Sequence, residues 1–212
     1  MRIEPHVFHA DDLIGGDLAL DLVNTVIARD GAPRDRLSDY AALLQWARAN
    51  GAFGARDLAT LGRLAAASPA KARAALGRLK LLREALCSTL YALLRGRTPA
   101  EADLQRIHAA YASAAAAAQL RRSDGRALRS WTPQLSQLDL ITHIVAVRAI
   151  ALLEEAEFAR LRICDGHDCG WVFLDTSKSG RRRWCDMATC GNTAKAQRFQ
   201  RRHAGVERRA VG

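Results

Sequence analysis

The sequence predicts a mainly α protein: a helical domain over residues 1–160 with one small β-hairpin, then over 161–212 a small module of β-hairpin and helix. Three observations predict it. Apolar residues recur every three or four positions through most of the first 160 residues, the period of a helix. An Asp124-Gly125 pair between two short runs has the chemistry of a hairpin turn. Four of the five cysteines form a C-x4-C-x15-C-x4-C pattern in a stretch with few large apolar groups. A chain of 212 residues can bury one good core and carry a small appendage that needs a staple.

Residues 1–16 read as irregular or strand-like, with Gly15-Gly16 as a breaker. A helix is expected over residues 17–27, apolar around most of its circumference and so destined for the interior. Asp17, Asp21 and Asn24 or Thr25 lie along one narrow stripe of it. Left unpaired, each buried polar group would cost roughly 1–3 kcal/mol. Two readings stay open: the stripe caps neighbouring loops, or Asp21, Asn24 and Thr25 line a ligand pocket. Ser38 is the expected N-cap of a helix that carries Leu43, Leu44, Trp46 and Ala47 to an Asn50-Gly51 stop. A third helix is expected over residues 56–67.

Ser68-Pro69 then restarts the chain into a long helix to about Arg97, in which Leu76, Leu79, Leu82, Leu86, Leu90 and Leu93 keep core spacing. Thr98-Pro99-Ala100-Glu101 reads as a capping box that opens a helix to about Ala114. The hairpin follows over residues 119–131, although 114–118 could prolong the helix instead. A last long helix is expected over 134–160, with Leu138, Ile141, Val145, Ile150 and Leu153 in its apolar band.

This domain carries no phosphate-binding glycine loop, no His-Glu-x-x-His and no Gly-x-Ser-x-Gly. His6, His9, His108 and His143 are scattered and read as surface or hydrogen-bonded residues. A non-enzyme is expected. The rival, a small-molecule enzyme built on the Asp21, Asn24 and Thr25 stripe, lacks a general base with a positioned nucleophile. Met1 to His6 has no apolar run or small-residue cleavage site, and no apolar stretch approaches the ~20 residues of a membrane span. The expected location is cytoplasmic, associated with the nucleoid when bound to DNA, with no membrane partner.

An odd cysteine count with paired short spacings favours metal ligation over disulfides. Cys87 is the remainder, placed on an apolar helix as a buried thiol. Cys164, Cys169, Cys185 and Cys190 suit one structural zinc ion (Zn2+) per chain, closed by four thiolates with no open catalytic position. The 15-residue spacer suits a short hairpin that returns the chain to the ion, and His167 or His203 could replace a cysteine. Too few large apolar groups are present here to hold a fold without such a metal.

The formal net charge is +10, and from Arg160 onward 12 Lys and Arg stand against 5 Asp and Glu, leaving +7. That concentration favours a polyanionic partner. Gly191 and Asn192 read as a turn and N-cap for a helix over 193–203, with Lys195, Arg198 and Arg202 near one face and Arg201 alongside. Arg181, Arg182 and Arg183 approach from the spacer. Arginine binds phosphate or guanine bidentately, so these seven residues are the candidate contacts to double-stranded DNA.

Cys185-Asp186-Met187-Ala188-Thr189-Cys190-Gly191-Asn192, preceded by Arg182-Arg183-Trp184 and Phe173-Leu174-Asp175-Thr176-Ser177, resembles the CGNR zinc-finger family. Gly15-Gly16-Asp17-Leu18-Ala19-Leu20-Asp21-Leu22-Val23-Asn24-Thr25 is similar to the opening of the ABATE domain, named for stress-induced transcription regulators and found upstream of that finger. The resemblance implies a bacterial transcription regulator. A helical ABATE-like sensor or assembly domain over 1–160 would bind a small-molecule effector, form a homodimer, or both, ahead of a CGNR-type module over 161–212. Its implied metal ligands are the same four cysteines. The signature departs at Thr193, where the family has arginine, so a DNA contact made by that arginine does not carry over. The rival class is a zinc-stabilised RNA-binding or protein-docking module that presents Trp171 and Trp184.

Overall fold

The computed structural model describes residues 1–200, apart from the side chains of residues 156 and 157. Among these residues the fold is mainly helical. A 26-residue helix, α4 (Pro69–Leu94), runs through the centre. Around it pack α1 (Leu18–Val23), α2 (Tyr40–Asn50), α3 (Ala55–Ala67), α5 (Glu101–Ala116) and α7 (Leu140–Glu154). Leu79, Leu82, Leu86 and Leu90 of α4 are buried, as the three-or-four spacing requires, and meet Leu20 and Leu22 of α1 and Ile141 and Val145 of α7 in one core.

The first helix is shorter than its apolar pattern suggests. Asp17 caps it by accepting from the Ala19 N–H at 2.7 Å, and it stops at Val23. Thr25, Val26 and Ile27 are β-branched and suit extended backbone. Val26–Ile27 forms β2, antiparallel to β3 (Arg34–Asp35), which is in turn parallel to β1 (Arg2–Ile3). The cap of α2 is Asp39, not Ser38; its carboxylate accepts from the Ala42 N–H at 2.8 Å. No capping box opens α5. Gly96, in the left-handed region at φ 65°, ends the preceding turn, residues 97–100 are spent reversing the chain, and the helix begins at Glu101.

β4 (Gln119–Ser123) and β5 (Arg126–Ser130) form the expected hairpin, with both turn residues left-handed (Asp124 φ 48°, Gly125 φ 77°), as a type I′ turn requires. The expected helix over 134–160 is broken. Gln137 adopts φ 50° and separates α6 (Pro133–Ser136) from α7 through a 3-10 turn, and a second 3-10 turn occupies 156–160. Tertiary partners hold the break: Tyr40 donates its hydroxyl to the Leu138 carbonyl at 2.7 Å, and Ser136 meets the His143 ring at 3.0 Å.

The small sheet is tied to α4 by a buried charge cluster. Arg83, 1% exposed, donates to both carboxylate oxygens of Asp35 at 2.8 and 2.9 Å and to the Thr25 hydroxyl at 2.9 Å. Lys80 approaches the same carboxylate at 2.8 Å.

The C-terminal module docks on α1 and the end of α4. Its strands β6 (Leu161–Ile163) and β7 (Val172–Leu174) are antiparallel, and Leu161 and Val172 belong to the main core. Asn24 stands in for a neighbouring strand: its amide nitrogen donates to the Val172 carbonyl at 2.9 Å, and its amide oxygen accepts from the Val172 N–H at 3.0 Å. The Leu174 N–H donates to the Gly15 carbonyl at 2.8 Å, the Trp171 indole N–H to the Val26 carbonyl at 2.9 Å, and the Tyr91 hydroxyl to the Gly170 carbonyl. Asn24→Ala would orphan both backbone groups of fully buried Val172 and should lower the stability of unfolding in urea by about 2 kcal/mol.

The polar stripe of α1 is therefore spent inside the protein. Asp21 accepts from the Gly15 N–H at 2.9 Å and from the Asn50 amide at 3.2 Å, and Thr25 donates to the Leu22 carbonyl at 2.7 Å. Of the two readings of Asp21, Asn24 and Thr25, the hydrogen bonds support the bridging one: these side chains fasten loops and the C-terminal module.

Candidate metal centre and its basic face

The four paired cysteines come together. Cys164 follows β6 and Cys169 precedes β7, so the hairpin brackets the first pair; the spacer after β7 is a loop instead of the expected hairpin. The Cys164 N–H donates to the Trp171 carbonyl at 2.8 Å and closes this turn. Gly166 leaves the room it needs, since a Cβ there would lie 2.8 Å from the Cys190 Sγ. Gly170, at φ 65°, sits against Tyr91 and Arg29, where any side chain would collide.

Cys185 and Cys190 arrive on a second element. Asp186 accepts from the Thr189 N–H at 2.8 Å and from its hydroxyl at 2.9 Å, capping a π-helical turn, Met187–Gly191. That turn runs directly into α8, residues 192–200. The helix thus starts before Cys190, and Gly191 and Asn192 lie within it instead of forming a turn and cap. The acidic residue that overrides them stands five positions earlier in the chain than Gly191.

The four Sγ atoms all lie within 4.8 Å of one another, with Cys169–Cys185 at 3.8 Å and Cys185–Cys190 at 3.7 Å. Tetrahedral thiolate bonds of about 2.3 Å to one ion imply S···S separations of about 3.8 Å. The donor set therefore fits a closed, four-coordinate metal site. The N–H groups of Gly166 and Cys185 point at the Cys164 sulfur at 3.4 and 3.2 Å, supplying positive dipoles where thiolate charge gathers. His167 pairs with Asp168 at 2.9 Å and has its side chain 62% exposed, so it is no substitute ligand here. His203 lies outside the described residues.

Asp175, which sequence reasoning passed over, organises the spacer loop. Fully buried, it accepts from the Ser177 N–H at 2.9 Å and the Arg182 N–H at 2.8 Å. Hydrogen bonds from Ser177 and from the Arg182 N–H lower its carboxyl to about 2. An Asp followed two residues later by Ser in a polar run is the local signal that could have found it.

The candidate DNA contacts divide into three groups. Arg182 is half-buried and structural: its guanidinium stacks 4.8 Å from the Phe173 ring centroid and donates to the carbonyls of Trp184 and Cys185. Arg183 is exposed but shared, donating to Asp165 at 2.8 Å and covering the Trp184 ring. Arg181, Lys195 and Arg198 are exposed with no carboxylate partner among the described residues, although Arg198 lies 5.8 Å from the centroid of Trp184. Arg201 and Arg202 lie outside the described residues. Thr193 is exposed on the first turn of α8.

Comparison with known families matches residues 160–203 to the CGNR zinc finger. Residues 16–156 match the ABATE family, described as "Putative stress-induced transcription regulator". A search of curated proteins finds no match. The two matched stretches follow one another in order and take in both the four-cysteine cluster and the helical core that carries it. The chain belongs to the ABATE family of transcription regulators and bears a CGNR zinc finger after its ABATE domain.

Proposed function

We propose that this protein is a zinc-dependent DNA-binding transcription regulator. The observation that carries the proposal is the placement of Cys190, Lys195 and Arg198 on one continuous helical segment, with Arg198 meeting Arg183 of the metal-pinned loop across the Trp184 ring. Zinc, with thiolate bonds of about 2.3 Å and a tetrahedral preference, suits this sulfur cluster. Bound there, it holds the β6–β7 hairpin, the spacer loop and α8 in a fixed relation, so that a rigid basic surface meets the phosphates. The helical domain supplies assembly or effector sensing. A cavity of 280 Å³ between α4, α5 and α7, with Leu82, Ala110, Ser113 and His143 in its lining, has the size for a small molecule.

A titration of duplex DNA at several salt concentrations tests the reading. The logarithm of affinity should fall with the logarithm of salt by about 0.9 for each phosphate neutralised, and chelation should remove the binding. Duplex affinity indifferent to chelation would rule the proposal out. Half-exposed Trp184, flanked by Arg183 and Arg198, supports a second reading in which the module stacks on RNA bases. Structured RNA outcompeting duplex DNA at equal salt would favour it.

A further inference from the structure

The β4–β5 hairpin has no place in the helical core. Four arginines project from its ten strand residues: Arg121, Arg122, Arg126 and Arg129 are all exposed. None has a carboxylate partner within ion-pair distance, whereas eleven arginine–carboxylate pairs form elsewhere among the described residues. Only Gln119 and Ser130, at its base, are partly covered. A two-stranded ribbon standing alone in water is marginally stable, so nothing in core packing explains why it projects here. The anchor is at its root, where the Trp131 indole N–H donates to the Ala114 carbonyl at 2.7 Å.

The register decides how the charge is distributed. Directly paired residues share a face, so Leu120, Arg122, Ala127 and Arg129 lie on one side, and Arg121, Ser123, Arg126 and Leu128 on the other. Each face carries two arginines. A ribbon resting on a flat anionic surface would use one face, leaving the other pair unmatched. A ribbon inserted in a groove meets a phosphate wall on each side, and the major groove, about 12 Å wide, admits a two-stranded β-ribbon.

We infer that this hairpin is a second DNA-binding element, an arginine ribbon that enters a groove of the duplex. The inference rests on the DNA-binding reading of the metal module. α5 runs antiparallel to α4, whose far end carries Tyr91 against the module, so the hairpin sits one α5 length from the cysteine end. Sixteen helical residues span about 24 Å. The ribbon therefore extends the footprint beyond what the metal module covers.

The test uses the full chain loaded with zinc, comparing wild type with a variant in which Arg121, Arg122, Arg126 and Arg129 are all changed to Gln, and with a second in which all four become Lys. Each is titrated with duplex DNA across a salt series and, separately, with vesicles of anionic lipid. The Gln variant should keep its metal content and melting temperature and bind duplex with a salt slope shallower by about 2 to 4, at about 0.9 per lost phosphate contact. The Lys variant should restore most of that slope. Wild type and Gln variant with equal slopes would overturn the ribbon and leave the metal-module reading intact. Absence of duplex binding by wild type would overturn both. Vesicle binding lost in the Gln variant while the duplex slope stays unchanged would assign the ribbon to a membrane surface instead.

Discussion

Cys185→Ser should cost the protein its metal, its duplex affinity and the order of its C-terminal module together. Cys185 is 1% exposed and lies 3.8 Å from the Cys169 sulfur and 3.7 Å from that of Cys190, so a hydroxyl there leaves three thiolates and an unmatched polar group in a closed site. Structural zinc is worth about 10–16 kcal/mol in isolated finger peptides. Metal analysis should give well under one ion per chain, proteolysis should cut within residues 164–190, and the helical signal from α2 to α5 should persist. Cys87→Ala is the control. Burial pushes the Cys87 thiol up to about 11, keeping it neutral on α4, and this substitution should leave metal content and duplex binding unchanged.

Arg83→Met should be the most destabilising single change in the helical domain. It strips the bidentate partner from Asp35, which is 3% exposed, and removing one partner of a buried ion pair costs about 3–5 kcal/mol. Equilibrium urea denaturation reads this as a lower midpoint. The pH dependence should change as well. In the native protein burial pulls the Asp35 carboxyl upward, but the hydrogen bonds and charge of Arg83, with Lys80, hold it at about 2, below its ordinary value of 3.8. The unfolded chain then binds the extra proton first. The stabilisation is therefore complete above about pH 4 and is lost as pH falls toward 2, a change of about 2 kcal/mol. In the variant only Lys80 and the Leu37 N–H remain to oppose burial, so this loss in acid should shrink, and a variant with an undiminished acid loss would show that Arg83 is not what holds the carboxyl down.

The parts of this molecule written in local patterns were legible in its sequence. α3 and α4 follow from apolar spacing, the β4–β5 turn from Asp124-Gly125, and the metal cluster from cysteine separations that need only be brought to one point. The parts decided by distant partners were not. Asn24 looked like one more polar residue on a helix, yet its partner Val172 lies 148 positions away. The break at Gln137 depends on Tyr40 reaching Leu138 from 98 positions away. At the basic face a charge count could not tell Arg182, folded back over Phe173, from exposed Arg181. Helix signals also competed at close range, where the Asp186 cap starts a helix that Gly191-Asn192 would suggest begins later.

The closing of residues 15–29 onto residues 169–174 also sets an order of events during synthesis. Asn24 is made 148 residues ahead of its partner, which at about 5–20 residues per second is roughly 7–30 seconds of elongation. α4 is made part-way through that interval, so for the rest of it α1 has α4, but not β7, to pack against, and the Asn24 amide must bond to water. Ion capture can come only after Cys190 emerges, so residues made much later finish the seam that α1 opened.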